Sequence, residues 1–215
     1  MTHSDGLSLA ELDVLGEIGN IGQGNAATSL AAFSHKLVTI DVPCVRMLDI
    51  NEAVSFLGGP EKVVTGILVR LSGDISGIML TIMDEMFVKE LLKIVFCKDA
   101  VDLYSLDEME QSFVQEIGNI LSGSYLNAVS ALSGLSAEVS VPAVSVDMVG
   151  AILAVPAVEF AAAGSKVLFI EDSFTFSDGF DEKERVNGSR MRSNMILIPE
   201  MSSLRTIFDR LGVSV

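Results

Sequence analysis

Two cysteines, two histidines and no tryptophan leave this chain of 215 residues short of the side chains that most often carry chemistry. Cys44 and Cys97 stand far apart, without CxxC or metal-ligand spacing, and are expected to be buried, reduced thiols. His3 and His35 are too few for a Cys/His zinc cluster, and no Ser/His/Asp set is visible. Basic residues are scarce as well: 14 Lys plus Arg stand against 29 Asp plus Glu, giving a formal net charge of −15 and a pI near 4.4. Phosphate backbones and anionic headgroups are held by clustered cations, so nucleic acid and lipid surfaces are disfavoured as partners.

Long apolar runs are missing too. Mean hydropathy is +0.49, yet the longest uncharged window, Ile117 to Ala137, is broken by Asn119, Asn127, glycines and serines, and the apolar stretch Met148 to Val158 is too short to cross a bilayer. The start, MTHSDGLSLAELD, has no cationic segment followed by an apolar one, so no secretory signal is expected and the reading is cytoplasmic. With 49% hydrophobic and 20% charged residues, the chain has ample material for a folded core.

What is present is a repeat. ELDVLGEIGNIGQGNAATSL returns as EQSFVQEIGNILSGSYLNAV at an offset of 99, placing Asp13, Glu17, Asn20, Gly24 and Pro43 on Ser112, Glu116, Asn119, Gly123 and Pro142 with identical spacing. Downstream, GIMLTIMDEMFVKELLKIVF resembles SNMILIPEMSSLRTIFDRLG at an offset of 116. The growth of the offset by 17 implies an insertion in the second copy, assigned to the polar stretch Asp172 to Arg192 and expected to be a solvated loop. Each copy reads as a long helix, a strand, a proline-marked turn, further strands and a closing helix. Capping-box patterns at Ser8/Glu11 and Ser105/Glu108 open the long helices. Strands are expected at Leu37–Val42, Val63–Leu71, Ile75–Met83, Ala137–Val141, Lys166–Glu171 and Asn194–Pro199, with a hairpin at Ser72-Gly73.

Two such halves, at approximately 8–98 and 105–215, cannot each cover both faces of their own strands. The expected fold is therefore α/β (α+β): a pseudo-two-fold duplicated helix–strand unit sharing one central β-sheet flanked by long helices, as a single domain over 1–215. No Pro/Gly/Ser-rich linker separates the halves, and internal symmetry removes the need for a dimer, so a monomer is expected.

On a helix, Asp13, Glu17, Asn20 and Gly24 fall within a sector of about 60°, apart from the core stripe of Val14, Leu15, Ile18 and Ile21. Ser112, Glu116, Asn119 and Gly123 repeat the arrangement beside Phe113, Val114, Ile117 and Ile120. Each helical glycine costs roughly 1 kcal/mol relative to alanine, offset either by tight packing or by close approach of a partner's backbone. A Glu and an Asn one turn apart offer no strong nucleophile. They can position: a neutral amide orients water without repelling a phosphoryl anion, and a carboxylate grips a cation.

At these residues the chain resembles the CheC/CheX/FliY family of chemotaxis phosphatases, whose signature is Asp or Ser, three residues, Glu, two residues, Asn, twenty-two residues, Pro. The signature occurs twice, at Asp13, Glu17, Asn20, Pro43 and at Ser112, Glu116, Asn119, Pro142. The resemblance spans essentially the whole chain and is strongest with the two-motif CheC branch. With a short leader before Asp13 and a second repeat running to the carboxyl terminus, the extra parts of the FliY branch are not expected. It implies hydrolysis of the phosphoaspartate of the response regulator CheY, which brings its own Mg²⁺, with no cofactor on this chain. It implies that Asn20 and Asn119 align the attacking water, and that Glu17 and Glu116 pair with the regulator's active-site lysine. Asp13 and Ser112 support the motif, Pro43 and Pro142 mark turns after a strand, and the receptor deamidase CheD is a further possible partner. The alternative is a non-catalytic interaction protein, either like the FliM middle domain and FliY of the flagellar switch or acting by regulating CheD.

Overall fold

The computed structural model describes residues 7–160, 166–177 and 190–213. The first repeat runs α1 (Leu9–Ser34), β1 (Leu37–Ile40), β2 (Cys44–Asp49), α2 (Ile50–Phe56), β3 (Val63–Gly73), β4 (Gly77–Asp84) and α3 (Glu85–Phe96). The second runs α4 (Glu108–Ser133), β5 (Ala137–Val139), β6 (Ala143–Met148), α5 (Val149–Phe160), β7 (Lys166–Ser177), β8 (Arg190–Pro199) and α6 (Met201–Arg210).

One antiparallel sheet of eight strands has the order β1-β7-β8-β4-β3-β5, with β2 continuing along β7 and β6 along β3. The halves meet where β4 pairs with β8. There Leu80 lies opposite Ile196, its own counterpart at the 116-residue offset, so the pseudo-two-fold axis passes between these two residues. Each half also exchanges its edge: β1 and β2 of the first repeat pair with β7 of the second, and β5 and β6 of the second pair with β3 of the first.

Strand alternation sends side chains to two cores. On one face Ile67, Val69, Met79, Ile170 and Met195 pack beneath α1, α3, α4 and α6. On the other, Val64, Leu80, Phe169 and Ile196 meet α2 and α5. The β3–β4 turn begins at Gly73 (φ +107°) and closes at Gly77 (φ +153°), where a side chain would collide with the carbonyl of Ile198.

Several expectations need correction. The second long helix is capped not by Ser105 and Glu108 but two residues later, by Asp107 and Glu110. The Asp107 carboxylate accepts from the N–H groups of Met109 and Glu110, whereas the Ser105 hydroxyl donates to Asp102 in the preceding turn. The polar stretch Asp172 to Arg192 is not all loop. Residues 172–177 complete β7 and residues 190–192 begin β8, while the glycines and the charge cluster of 178–189 lie outside the described residues. Phe174 and Phe176 alternate with polar neighbours and bury against Phe87 at ring distances of 5.8 and 6.3 Å, a period-2 signal that the polar composition obscured.

Cys97 is exposed rather than buried, because it takes the left-handed position (φ +52°) that ends α3. Cys44 is half-buried, its Sγ accepting from the Arg46 guanidinium at 3.0 Å. Helices α2 and α5 follow the short strands β2 and β6 without being anticipated. In α5 the buried positions 149, 152, 153 and 156 keep helical spacing, but apolar residues on the exposed face also hide it, and Pro156 stands inside the helix.

Candidate functional site

Helix α1 begins at a complete capping box: Ser8 Oγ accepts from the Glu11 N–H at 3.3 Å, and the Glu11 carboxylate accepts from the Ser8 N–H at 2.6 Å. That fixes the phase of the turns that follow. Leu15 and Ile18 bury, Val14 and Ile21 are half-buried, and Asp13, Glu17 and Asn20 face outward. Helix α4 is fastened more firmly at its start. Glu110, 4% exposed, closes its own capping box and also holds Lys98 at 2.6 Å, a hydrogen bond that raises the Lys98 pKa. Phe113, Val114 and Ile117 bury below, and Ser112, Glu116 and Asn119 are exposed above. Asn119 Nδ2 donates to Glu116 Oε2 at 3.4 Å, so amide and carboxylate lie side by side on the surface.

The two helices pack antiparallel, Phe33 against Phe113 at 6.0 Å and Gly22 beneath Tyr125. The glycines divide into two kinds. A β-carbon at Gly22 would meet the Tyr125 ring at 2.6 Å, one at Gly118 would meet Ile67 at 2.5 Å, and one at Gly19 would meet Val45 at 3.2 Å, so these three serve packing. At Gly16, Gly24 and Gly123 nothing stands within 4 Å. Gly24 and Gly123 continue the Glu/Asn stripes, and each leaves open room one turn beyond the amide.

The prolines do more than mark turns. Pro43 packs over Gly19, the residue before Asn20, with 3.5 Å between its Cγ and a β-carbon placed there. The Pro142 carbonyl accepts a hydrogen bond of 2.9 Å from Gln115, the residue before Glu116.

Beneath the helix crossing lies a pair that the sequence reading missed. The Tyr125 hydroxyl donates to Asp172, 2.5 Å from each carboxylate oxygen, and the two residues are 2% and 1% exposed. Burial pushes the Asp172 carboxyl up to about 7, and burial together with the neighbouring carboxylate drives the Tyr125 phenol well above its ordinary value. A lone Tyr in a Ser/Ala-rich helix, with Gly22 making room on the other, was the available signal.

Chemically, each outer face offers one carboxylate and one amide, with a hydroxyl or second carboxylate a turn earlier. Among the described residues no three His, Cys, Asp or Glu side chains converge as a metal site. Such a surface can orient water and pair with a cation on a visiting molecule.

The CheC-like family model matches residues 11–45 and 109–146, each span running from the start of a candidate helix past its proline. The CheY-P phosphatase CheC of Bacillus subtilis is 32% identical over 220 aligned residues, covering all of both chains. Among solved structures, FliY of Thermotoga maritima superposes with a TM-score of 0.71 at 21% identity, covering 96% of this chain and 98% of that one. The FliM middle domain of H. pylori superposes with a TM-score of 0.62 at 11% identity, over 95% and 99%. These two likenesses show the fold.

Proposed function

The chain belongs to the CheC-like family, and from that membership and its two exposed Glu/Asn pairs we propose how it works. It is a phosphatase that hydrolyses the phosphoaspartate of the response regulator CheY and so ends its signal. Asn20 and Asn119 each accept a hydrogen bond from a water and hold its oxygen in line with phosphorus. The P–O bond to the aspartyl carboxylate breaks as the new one forms, releasing inorganic phosphate and a free carboxylate. An amide suits this place because it is neutral: a carboxylate there would repel the dianionic phosphoryl group. Glu17 and Glu116 supply the charge one turn away, where each pairs with the regulator's active-site lysine and docks the helix. Asp13 and Ser112 extend the polar stripe towards the helix start and support the motif.

The observation that carries this reading is the exposure of both amides at equivalent positions on paired helices, each backed by a buried stripe that fixes where it points. A FliM-like fold alone would serve a non-catalytic docking module; an intact Glu and Asn in both halves favours turnover. The chain is read as needing no cofactor of its own, Mg²⁺ coming with the regulator as the family resemblance implies.

The test is phosphate release from phosphorylated CheY under saturating and subsaturating conditions. Glu17→Lys with Glu116→Lys should raise KM with a smaller effect on kcat; an unaltered KM would remove the lysine-pairing role. Two finer parts belong to the proposal: the chain acts as a monomer, because internal pseudo-symmetry removes the need for a dimer, and it binds CheD, which rests on the family resemblance alone. Sedimentation of the chain alone and with CheD tests both, a single monomeric species alone and a faster one in the mixture being expected. No helix of the described residues is long and apolar enough to cross a membrane, and the reading places the protein in the cytoplasm with its regulator.

A further inference from the structure

The strand that edges each half is interrupted at the motif proline. Along β7, Ile40 pairs with Phe174 and Cys44 with Glu171, so Asp41, Val42 and Pro43 face two residues instead of three. Along β3, Val139 pairs with Leu71 and Ala143 with Leu68, so Ser140, Val141 and Pro142 likewise face two. Each interruption is a β-bulge with one extra residue, at the same register position in both halves. The ladder holds up to the residue before the valine: the Asp41 N–H donates to the Ser173 carbonyl at 3.3 Å and that of Ser140 to the Arg70 carbonyl at 2.9 Å. Proline, with no N–H, cannot resume it at once.

What the bulge throws outward is the valine. Val42 is 85% and Val141 82% exposed, the two most exposed large apolar side chains among the described residues. Both bulges are tied to the motif helices, Pro43 by its packing over Gly19 and Pro142 by its bond from Gln115. On α1 the counterpart of Gln115 is Gly16, with nothing within 4 Å of where its side chain would begin. A single exposed valine needs no explanation. The same residue, extruded by the same device beside each candidate face, does.

We propose that Val42 and Val141 form the apolar half of each docking surface, packing against apolar side chains on the receiver domain of the regulator. This rests on the phosphatase reading above. The helix supplies the polar contacts, water and lysine pairing, and the bulge supplies area that excludes solvent from them. The signature's fixed twenty-two-residue step from Asn to Pro then has a physical reason: it sets where the bulge falls against the helix.

The test is steady-state turnover of phosphorylated CheY by the Val42→Asp/Val141→Asp variant, with Val42→Ser/Val141→Ser as a neutral version. Burying one valine against a partner is worth roughly tenfold in affinity. Both variants should therefore raise KM by roughly that factor with kcat unchanged, the aspartates more than the serines, while Val42→Ile/Val141→Ile stays near wild type. Thermal midpoints equal to wild type are expected, because both side chains are in solvent. An unaltered KM in these folded variants overturns the proposal. Asn20→Ala/Asn119→Ala, measured alongside, separates the two levels: loss of turnover there with a normal KM in the valine variants rejects the bulge alone, whereas wild-type turnover there rejects the phosphatase assignment of the amides beneath it.

Discussion

Asn20 and Glu17 stand one helical turn apart and differ by one charge, and that difference divides their work. In the proposed mechanism the neutral amide sits beside an anion, where the charged group could not, and the carboxylate is left as a handle for a cation. If each amide orients water, removing it costs what removal of a preorganised donor costs elsewhere. Asn20→Ala or Asn119→Ala should then lower the rate at its own site by about 10² to 10³-fold, and the other site should keep the chain measurably active. Asp172 gives a prediction of a different kind. Its carboxyl is raised by burial from the ordinary carboxylate range to about 7, so the native state holds a proton that the unfolded chain releases. By linkage this contribution to stability is complete below about pH 4, falls as pH rises towards 7, and is then lost. Asp172→Asn keeps an acceptor for the Tyr125 hydroxyl and cannot ionise. Its stability relative to wild type, read from urea midpoints, should rise between pH 4.5 and 7.5; a constant difference would show that Asp172 is not the proton acceptor.

At the scale of elements, the long helices are set by their ends as much as by their faces. Asp107 caps α4 and its partner Glu110 is buried against Lys98, so Asp107→Ala should cost about 1 kcal/mol, measured as a shift in thermal midpoint. The sequence made these helices, their polar stripes and the four central strands legible, because period and repetition agreed. It concealed what depended on neighbours. Ser105 and Asp107 offer the same kind of cap; in the fold Ser105 turns to Asp102, and the Asp107 cap brings Glu110 onto Lys98. The stretch 172–177 reads as polar, yet Phe174 and Phe176 carry it into the sheet. Pro43 and Pro142 read as turns, since nothing local announces that the chain resumes the same edge after one extruded residue. Met148 to Val158 reads as an apolar run because the outer face of α5 is nearly as apolar as the inner one.

In the molecule as a whole the halves are interlocked: each lends its edge strands to the other's sheet, and β4 pairs with β8 across the pseudo-two-fold axis. Residues 8–98 expressed alone would leave β3 without β5 and β6 and expose β4, so a circular dichroism signal that melts with no cooperative transition is expected; a cooperative transition would show the repeats to be independent. The net charge of −15 should draw the chain towards a cationic patch on its regulator, which predicts association that slows as salt increases. The duplicated motif was readable at this scale before any coordinate, whereas the exchange of edges was not, because strand order is set by long-range pairing that no local pattern encodes. The most direct measurement is the dephosphorylation rate of phosphorylated CheY with the chain in which both Asn20 and Asn119 are alanine. The account predicts a rate no faster than the regulator's own decay, in a protein with wild-type melting behaviour; acceleration equal to that of wild type would contradict it.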